Sequence, residues 1–265
     1  MAAPALAEVV DILHEIAPLE LAAGWDNVGL LLQPKARPGR VARVVLTVDA
    51  SVAVVAEAIA VRADLLVSYH PPIFQPLKRL HADGGTQEAI LRAAAAGLAI
   101  YSPHTALDAA PTGLADWLVD CVLGGDVPKE LRPCGDGEFG RLVALGKPLP
   151  FRTLLQRCQR RFGVRCLQVA RPAGAAAKVN AIAVAAGAGG SVLRGVAADV
   201  LVTGEMSHHD VLAALAAGRS VVLAGHSNTE RGFLKVLQKR LRSAFAGDLD
   251  VRLAKADRDP FVTVT

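Results

Sequence analysis

Cysteine is scarce in this sequence, and the four residues that occur, Cys121, Cys134, Cys158 and Cys166, show no C-x-x-C spacing. With nothing else pointing to secretion, they read as reduced, partly buried thiols in a reducing compartment. Uninterrupted apolar runs long enough to span a bilayer, ~18 to 20 residues, are absent, because Gly and charged residues break every stretch. The opening MAAPALAEVVDILHEIAP lacks a basic cluster and a clean apolar centre and carries Glu8 and Asp11, so it fits neither a signal peptide nor a transit peptide. It reads as a first helix. A concentrated positive face is also missing: the net charge of +4 is spread along the chain apart from Arg231 to Arg242, a solvated helix face, which argues against direct nucleic-acid binding.

What is present is an apolar chain of 265 residues, 52% hydrophobic, enough for a sizeable core. Short β-branched runs alternate with Ala/Leu-rich stretches of helical period: VARVVLTVD, ASVAVVAEAIAVRA, DLLVSYH, TQEAILRAAAAG, LAIYSPH. This βαβαβ rhythm implies an α/β fold with mostly parallel strands. A second half repeats it through KVNAIAVAAG, SVLRGVA, ADVLVTGE, HDVLAALAAG and RSVVLAGH, then a helix from about Thr229. Between the halves, Gly124 to Gly140 is rich in Gly, Pro and charge. The expected organisation is two Rossmann-like lobes, 1–128 and 141–265, joined by a linker at 129–140, with the last helices free to pack back on the first lobe.

Ionisable residues collect at the carboxyl ends of the expected strands, where parallel sheets bind ligands: Asp49, His70, His104 with Asp108, Glu205 with His208, and His226 with Glu230. His14 and His81 read as surface residues. Each site residue has a structural alternative. Pro71 and Pro72 can simply stop the strand after His70. Thr105 or Asp108 can cap a short helix beginning near Pro111. Ser207 with Asp210, and Ser227 with Glu230, both fit helix-capping patterns. Of the doublet His208-His209, at most one can face a cleft. Gly187 to Ser191, GAGGS, follows a strand and precedes a helix as a phosphate loop would, but lacks the last Gly of G-x-G-x-x-G.

A capping box accounts for Ser227 and Glu230 and leaves His226 without a role. A site of His70, Asp108, His226 and Glu230 explains it. Two imidazoles, two carboxylates and no thiolate suit Zn, Mn or Fe rather than a thiolate zinc or an all-oxygen calcium site. A carboxylate bridging two such ions lets them share an activated water, which points to hydrolysis.

The strings GWDNVGL (24–30), SYHPPIF (68–74), SPHTALDAAPTGLADWL (102–118), TGEMSHHD (203–210), GHSNTERGFL (225–234) and DRDP (257–260) together resemble the Nif-three-like (NGG-interacting-factor-three-like) family of dinuclear-metal-centre proteins. Its bacterial members are often labelled GTP cyclohydrolase type-two homologues, and the match is nearest to the animal branch. The resemblance implies two α/β lobes with a metal site between them, two divalent ions per subunit, and a ring-shaped homohexamer. It places the ligands on His70, Asp108, His226 and Glu230, with Glu230 bridging and a metal-bound water as the reactive group. Tyr69, His104, Glu205, His208, Gly187 and Gly189 are expected to line an additional pocket. Many members carry a second histidine where this chain has Tyr69, so the second ion depends here on the Tyr69 hydroxyl or on water. Some members carry an inserted middle domain, for which the linker here is too short. The ligand chemistry points to a metal-dependent hydrolase acting on a small phosphorylated or nucleotide-like substrate, while the resemblance leaves open a non-catalytic regulator with a transcriptional-regulator protein as partner. It fits a protein of the cytoplasm and nucleus, without a membrane.

Overall fold

The computed structural model describes residues 3–35, 39–262 and 264. In chain order it contains α1 (Leu6–Ile16), β1 (Gly29–Leu32), β2 (Arg43–Thr47), α2 (Val52–Ala60), β3 (Leu65–Ser68), α3 (Gly85–Ala96), β4 (Ala99–Ser102), α4 (His104–Ala109), α5 (Leu114–Leu123) and β5 (Pro128–Cys134). There follow β6 (Gly140–Pro150), α6 (Phe151–Phe162), β7 (Gln168–Ala170), β8 (Lys178–Ala185), β9 (Val200–Thr203), α7 (His208–Ala216), β10 (Ser220–Leu223), α8 (Asn228–Arg231), α9 (Leu234–Ala244) and β11 (Asp250–Leu253). The chain divides into two compact units. One comprises Met1–Leu107 and Phe233–Pro260, and the other Asp108–Gly232 with Phe261–Thr265.

The first unit is built on a five-stranded sheet ordered β1-β4-β3-β2-β11, parallel throughout except for β1 against β4. Every residue of β3 and β4 is buried, as expected of parallel strands covered on both faces by helices. Val45, Leu66 and Ile100 from the sheet meet Val54, Val55 and Ala58 of α2 and Ala89 and Ala93 of α3, each large side chain contributing roughly 2 kcal/mol of burial. Ser51 starts α2 by accepting from the Val54 amide, and Gly97 ends α3 in the left-handed conformation. Helix α9 buries Leu234, Leu237 and Leu241 at helical spacing and packs on β2 and β11. Strand β11 pairs with β2 in parallel, and Arg43 reinforces the pair through an ion pair with Asp250 at 2.6 Å.

The second unit holds a six-stranded sheet ordered β5-β6-β8-β9-β10-β7. Its centre, β8-β9-β10, is parallel, and its flanks are antiparallel. Leu142, Ala183, Leu193, Leu201 and Val221 form its core on one side. Arg141, 4% exposed, ties β6 to the turn after α4: it pairs with Asp116 at 2.5 Å and donates to the carbonyls of Glu138, Ala109 and Ala110.

Three expectations change. The segment 129–140 is strand β5 and a single 3₁₀ turn, Asp136–Glu138, rather than a linker. Strand β5 is an exposed edge, so it carries the charge and proline of a loop while its backbone pairs with β6. Residues 191–195 form turns and not a helix, since Gly195 sits at φ +77° and breaks the run. The helix expected to begin near Pro111 starts at Leu114 as α5, and α4 precedes it.

Candidate metal centre

In the first unit the loops after β2, β3 and β4 carry the chemistry. The backbone of His70 is fixed twice, its amide donating to the Val48 carbonyl and its carbonyl accepting from the Ser68 hydroxyl. Its Nδ1 lies 2.8 Å from Asp49 Oδ1. An ionised carboxylate only accepts, so Nδ1 is the donor of this pair and Nε2 is the ring nitrogen turned away from Asp49. His104 is held the same way, with Nδ1 2.8 Å from Asp26 Oδ1. The Asp26 side chain is fully buried and also accepts from the amide and the hydroxyl of Thr105. Burial pushes the Asp26 carboxyl up, but hydrogen bonds from His104 and Thr105, the His104 charge and the Asn27 amide outweigh it and hold the group below the usual carboxylate range. Tyr69, 4% exposed, sets its ring against both His70 and His104, at centroid distances of 4.9 and 5.4 Å.

In the second unit the loops after β8, β9 and β10 are bonded together. Thr229 Oγ1 accepts from the Gly187 amide and donates to the His226 carbonyl. Thr203 Oγ1 accepts from the Gly189 amide and donates to the Gly187 carbonyl. On this base His226 places Nδ1 2.9 Å from Glu205 Oε1 and Nε2 3.2 Å from Glu230 Oε1. Glu230 is 2% exposed. Gly187 lies at φ +52°, and a Cβ there would stand 2.5 Å from Glu230 Oε1 and 2.9 Å from His226 Nε2. The absent side chain leaves a cradle over the imidazole and the carboxylate. Half-buried Asp108 sits in α4, whose C-terminal carbonyls Arg141 holds.

The remaining pocket expectations fare differently. Glu205 orients His226, whereas His208 is exposed in the first turn of α7 with its ring against His209. Gly187 and Gly189 do not cradle phosphate with their amides, because both amides are bonded internally to threonine hydroxyls. The Ser227–Glu230 capping box is not formed: Ser227 is itself helical, at φ −67° and ψ −17°, its hydroxyl accepts from Arg231, and Glu230 turns toward His226. Ser207 does cap α7, accepting from the Asp210 amide. His81 is exposed, while His14 is half-buried with its ring 5.8 Å from Tyr101. Asp26 was not singled out in the sequence; its partners lie 78 and 79 residues away, and only the Trp-Asp-Asn string marks it.

Two α/β units with parallel strands at their cores, the first presenting two carboxylate-backed histidines and the second one at the carboxyl ends of those strands, define a two-unit α/β protein with a candidate metal centre. The family profile Duf34/NIF3 (NGG1p interacting factor 3) matches residues 4–260, and the chain belongs to that family. It is 40% identical over 266 residues to the protein NIF3 homolog of Schizosaccharomyces pombe, covering 96% of each chain. It is 35% identical over 257 residues to NGG1-interacting factor 3 of Saccharomyces cerevisiae, covering 89% of this chain and 88% of that protein. Among solved structures, reduced HcgD from Methanocaldococcus jannaschii superposes with a TM-score of 0.84 at 24% identity, covering 96% of this chain and 99% of that one.

Proposed function

We propose that this protein binds divalent metal through His70, Asp108, His226 and Glu230 and hydrolyses a small phosphorylated or nucleotide-like substrate. The observation that carries the reading is the backing of the imidazoles. His70 and His226 each turn Nδ1 to a carboxylate, the arrangement by which proteins orient and strengthen a metal-ligating imidazole. The buried Glu230 carboxylate beside His226 Nε2, under a position where only glycine leaves room, fits a cation held among N and O donors. A first-row divalent ion there would supply Lewis-acid activation of water. The chain's own residues do the positioning. Asp49 and Glu205 orient their histidines, Thr229 and Thr203 hold the loops, and Glu230 would hold the metal with its carboxylate. The same reading includes two ions per subunit, a homohexamer, and a location in the cytoplasm and nucleus.

The test is the metal content of purified wild type, His226→Ala, Glu230→Gln and the control His81→Ala, together with a phosphoesterase and nucleotide-hydrolysis panel. The first two variants lose metal and any turnover, and the control keeps both. Equal metal in all four overturns the site. A second reading, a regulatory protein whose metal is structural, is favoured by the name of the yeast relative, NGG1-interacting factor 3. It prevails if the wild type holds metal and turns over nothing that Glu230→Gln abolishes.

A further inference from the structure

Aromatic residues are few, 4% of the chain, with two Trp and two Tyr. One of each gathers in the first unit around His104. Trp25 and Phe74 stand edge to face with ring centroids 6.0 Å apart, and each lies 6.3 Å from the His104 ring. Tyr69 and His70 each lie 5.4 Å from it on their own sides. The outer two rings are open to solvent: Trp25 is 62% exposed and Phe74 41%. Large aromatic side chains are normally buried, so paired exposure at a strand-end site needs a reason.

The local structure holds the loops that carry these rings in place. The two residues after Trp25 each bond a different loop. Asp26 holds His104 and Thr105 at the start of α4, and Asn27 donates to the carbonyl of Ile73, next to Phe74. Thr105 Oγ1 also accepts from the Ala23 amide, closing the other side of the Trp25 loop. His104 adopts φ +26°, a backbone conformation unusual for a non-glycine residue and one that surrounding bonds must enforce. With Nδ1 bonded to Asp26, Nε2 is the nitrogen left to meet a ligand.

We propose that Trp25, Phe74 and His104 form a stacking wall for a planar heteroaromatic ring of nucleobase type, with His104 Nε2 bonding the ring edge. Every base presents a π face, which is why exposed, rigidly held aromatics recognise bases with little demand on sequence. A protein partner is the poorer fit: two aromatic side chains offer at most about 500 Å², against roughly 800 Å² per partner in a stable interface. The wall adjoins His70, whose ring lies 5.4 Å from that of His104, so this inference names the substrate class for the proposed metal centre and rests on that reading for its chemistry, while ring binding is measurable apart from metal.

Trp117 is nearly buried, so Trp25 is the exposed fluorophore. Titrations of the full-length protein with AMP, GMP, UMP and ribose 5-phosphate would follow tryptophan emission, with calorimetry for Trp25→Leu. We expect at least one nucleotide to quench and saturate while ribose 5-phosphate does not, and Phe74→Ala and Trp25→Leu to weaken binding about 5- to 150-fold. Phe74→Tyr should restore it, and bound metal should match wild type in every variant. Nucleotide binding by a protein that takes up no zinc or manganese would sink the metal reading and leave the wall standing. Failure of all three nucleotides to bind, ribose 5-phosphate binding as well as they do, or variants that change oligomeric state with unchanged nucleotide affinity would each overturn the proposal.

Discussion

Replacing Gly187 by Ala adds one methyl group at the place where the second unit's loops converge, and its cost can be worked in two parts. The first is conformational: φ +52° is left-handed, and Ala there costs about 1 kcal/mol relative to Gly. For a unit of this size that lowers Tm by about 2–4 °C. The second is steric. The new Cβ would lie 2.5 Å from Glu230 Oε1, so the carboxylate must retreat by roughly 0.9 Å to reach the 3.4 Å at which ordinary contact begins. Displacing or reorienting a ligand on this scale costs about 10- to 100-fold in metal affinity. Gly218→Ala separates the two parts, since Gly218 lies at φ +76° and a methyl group there would meet nothing within 4 Å. Calorimetric zinc or manganese titration, paired with thermal unfolding in chelator, should show equal loss of Tm in both variants and loss of affinity in Gly187→Ala alone. Equal affinity in Gly187→Ala and wild type refutes the placement of Glu230 and His226 at a metal.

Glu205→Ala and Asp49→Ala should each lower metal affinity about 10- to 100-fold by releasing Nδ1 of His226 and His70; unchanged titration curves would show that these carboxylates do not orient ligands. Gly232→Ala puts a Cβ 2.4 Å from the Trp117 ring at an ordinary helical φ, so overpacking should destabilise the protein by about 1–3 kcal/mol, read as a lower urea midpoint. Burial pushes the thiols of Cys121 and Cys134 up to about 11 and that of Cys158 up to about 12, so a disulfide reagent at pH 8 should modify exposed Cys166 rapidly and the other three only on unfolding. The lowered pKa of Asp26 means that its stabilisation is present above the ordinary carboxylate range and lost as pH falls through the lower folded value. The stability gap between wild type and Asp26→Asn, measured by urea unfolding, should therefore shrink as pH falls below about 4; a gap that widens in acid would contradict it.

The sequence made the buried parallel strands legible because their apolar runs are continuous, as in VVLT, LLVS and VLVT. Strand β5 was illegible for the converse reason: an exposed edge needs backbone pairing but no apolar side chains. The strand-end rule located His70, Asp49, Glu205, His226 and Glu230 without showing which would orient which. Local patterns misled where a tertiary partner competed. Ser227 and Glu230 have the spacing of a capping box, yet Glu230 faces His226 and Arg231 takes the Ser227 hydroxyl. The Trp25–Phe74–His104 cluster was out of reach of any local pattern, because three loops far apart in sequence meet through tertiary bonds such as those of Asp26 and Asn27.

Strand β11 has a consequence for how the chain is made. It pairs with β2, yet residues 108–249 must leave the ribosome between the first unit's initial segment and this strand. At 5–20 residues per second that is a delay of about 7–30 s. Throughout it β2 lacks its outer neighbour, and for most of it α9 is not there to cover it, whereas the second unit's sheet and helices emerge as one uninterrupted stretch. The second unit can fold first, and the first, begun earlier, finishes later. In that interval the bare edge of β2 is open to a strand from another nascent chain, so cells short of chaperones should lose this protein to aggregation during synthesis more than after it.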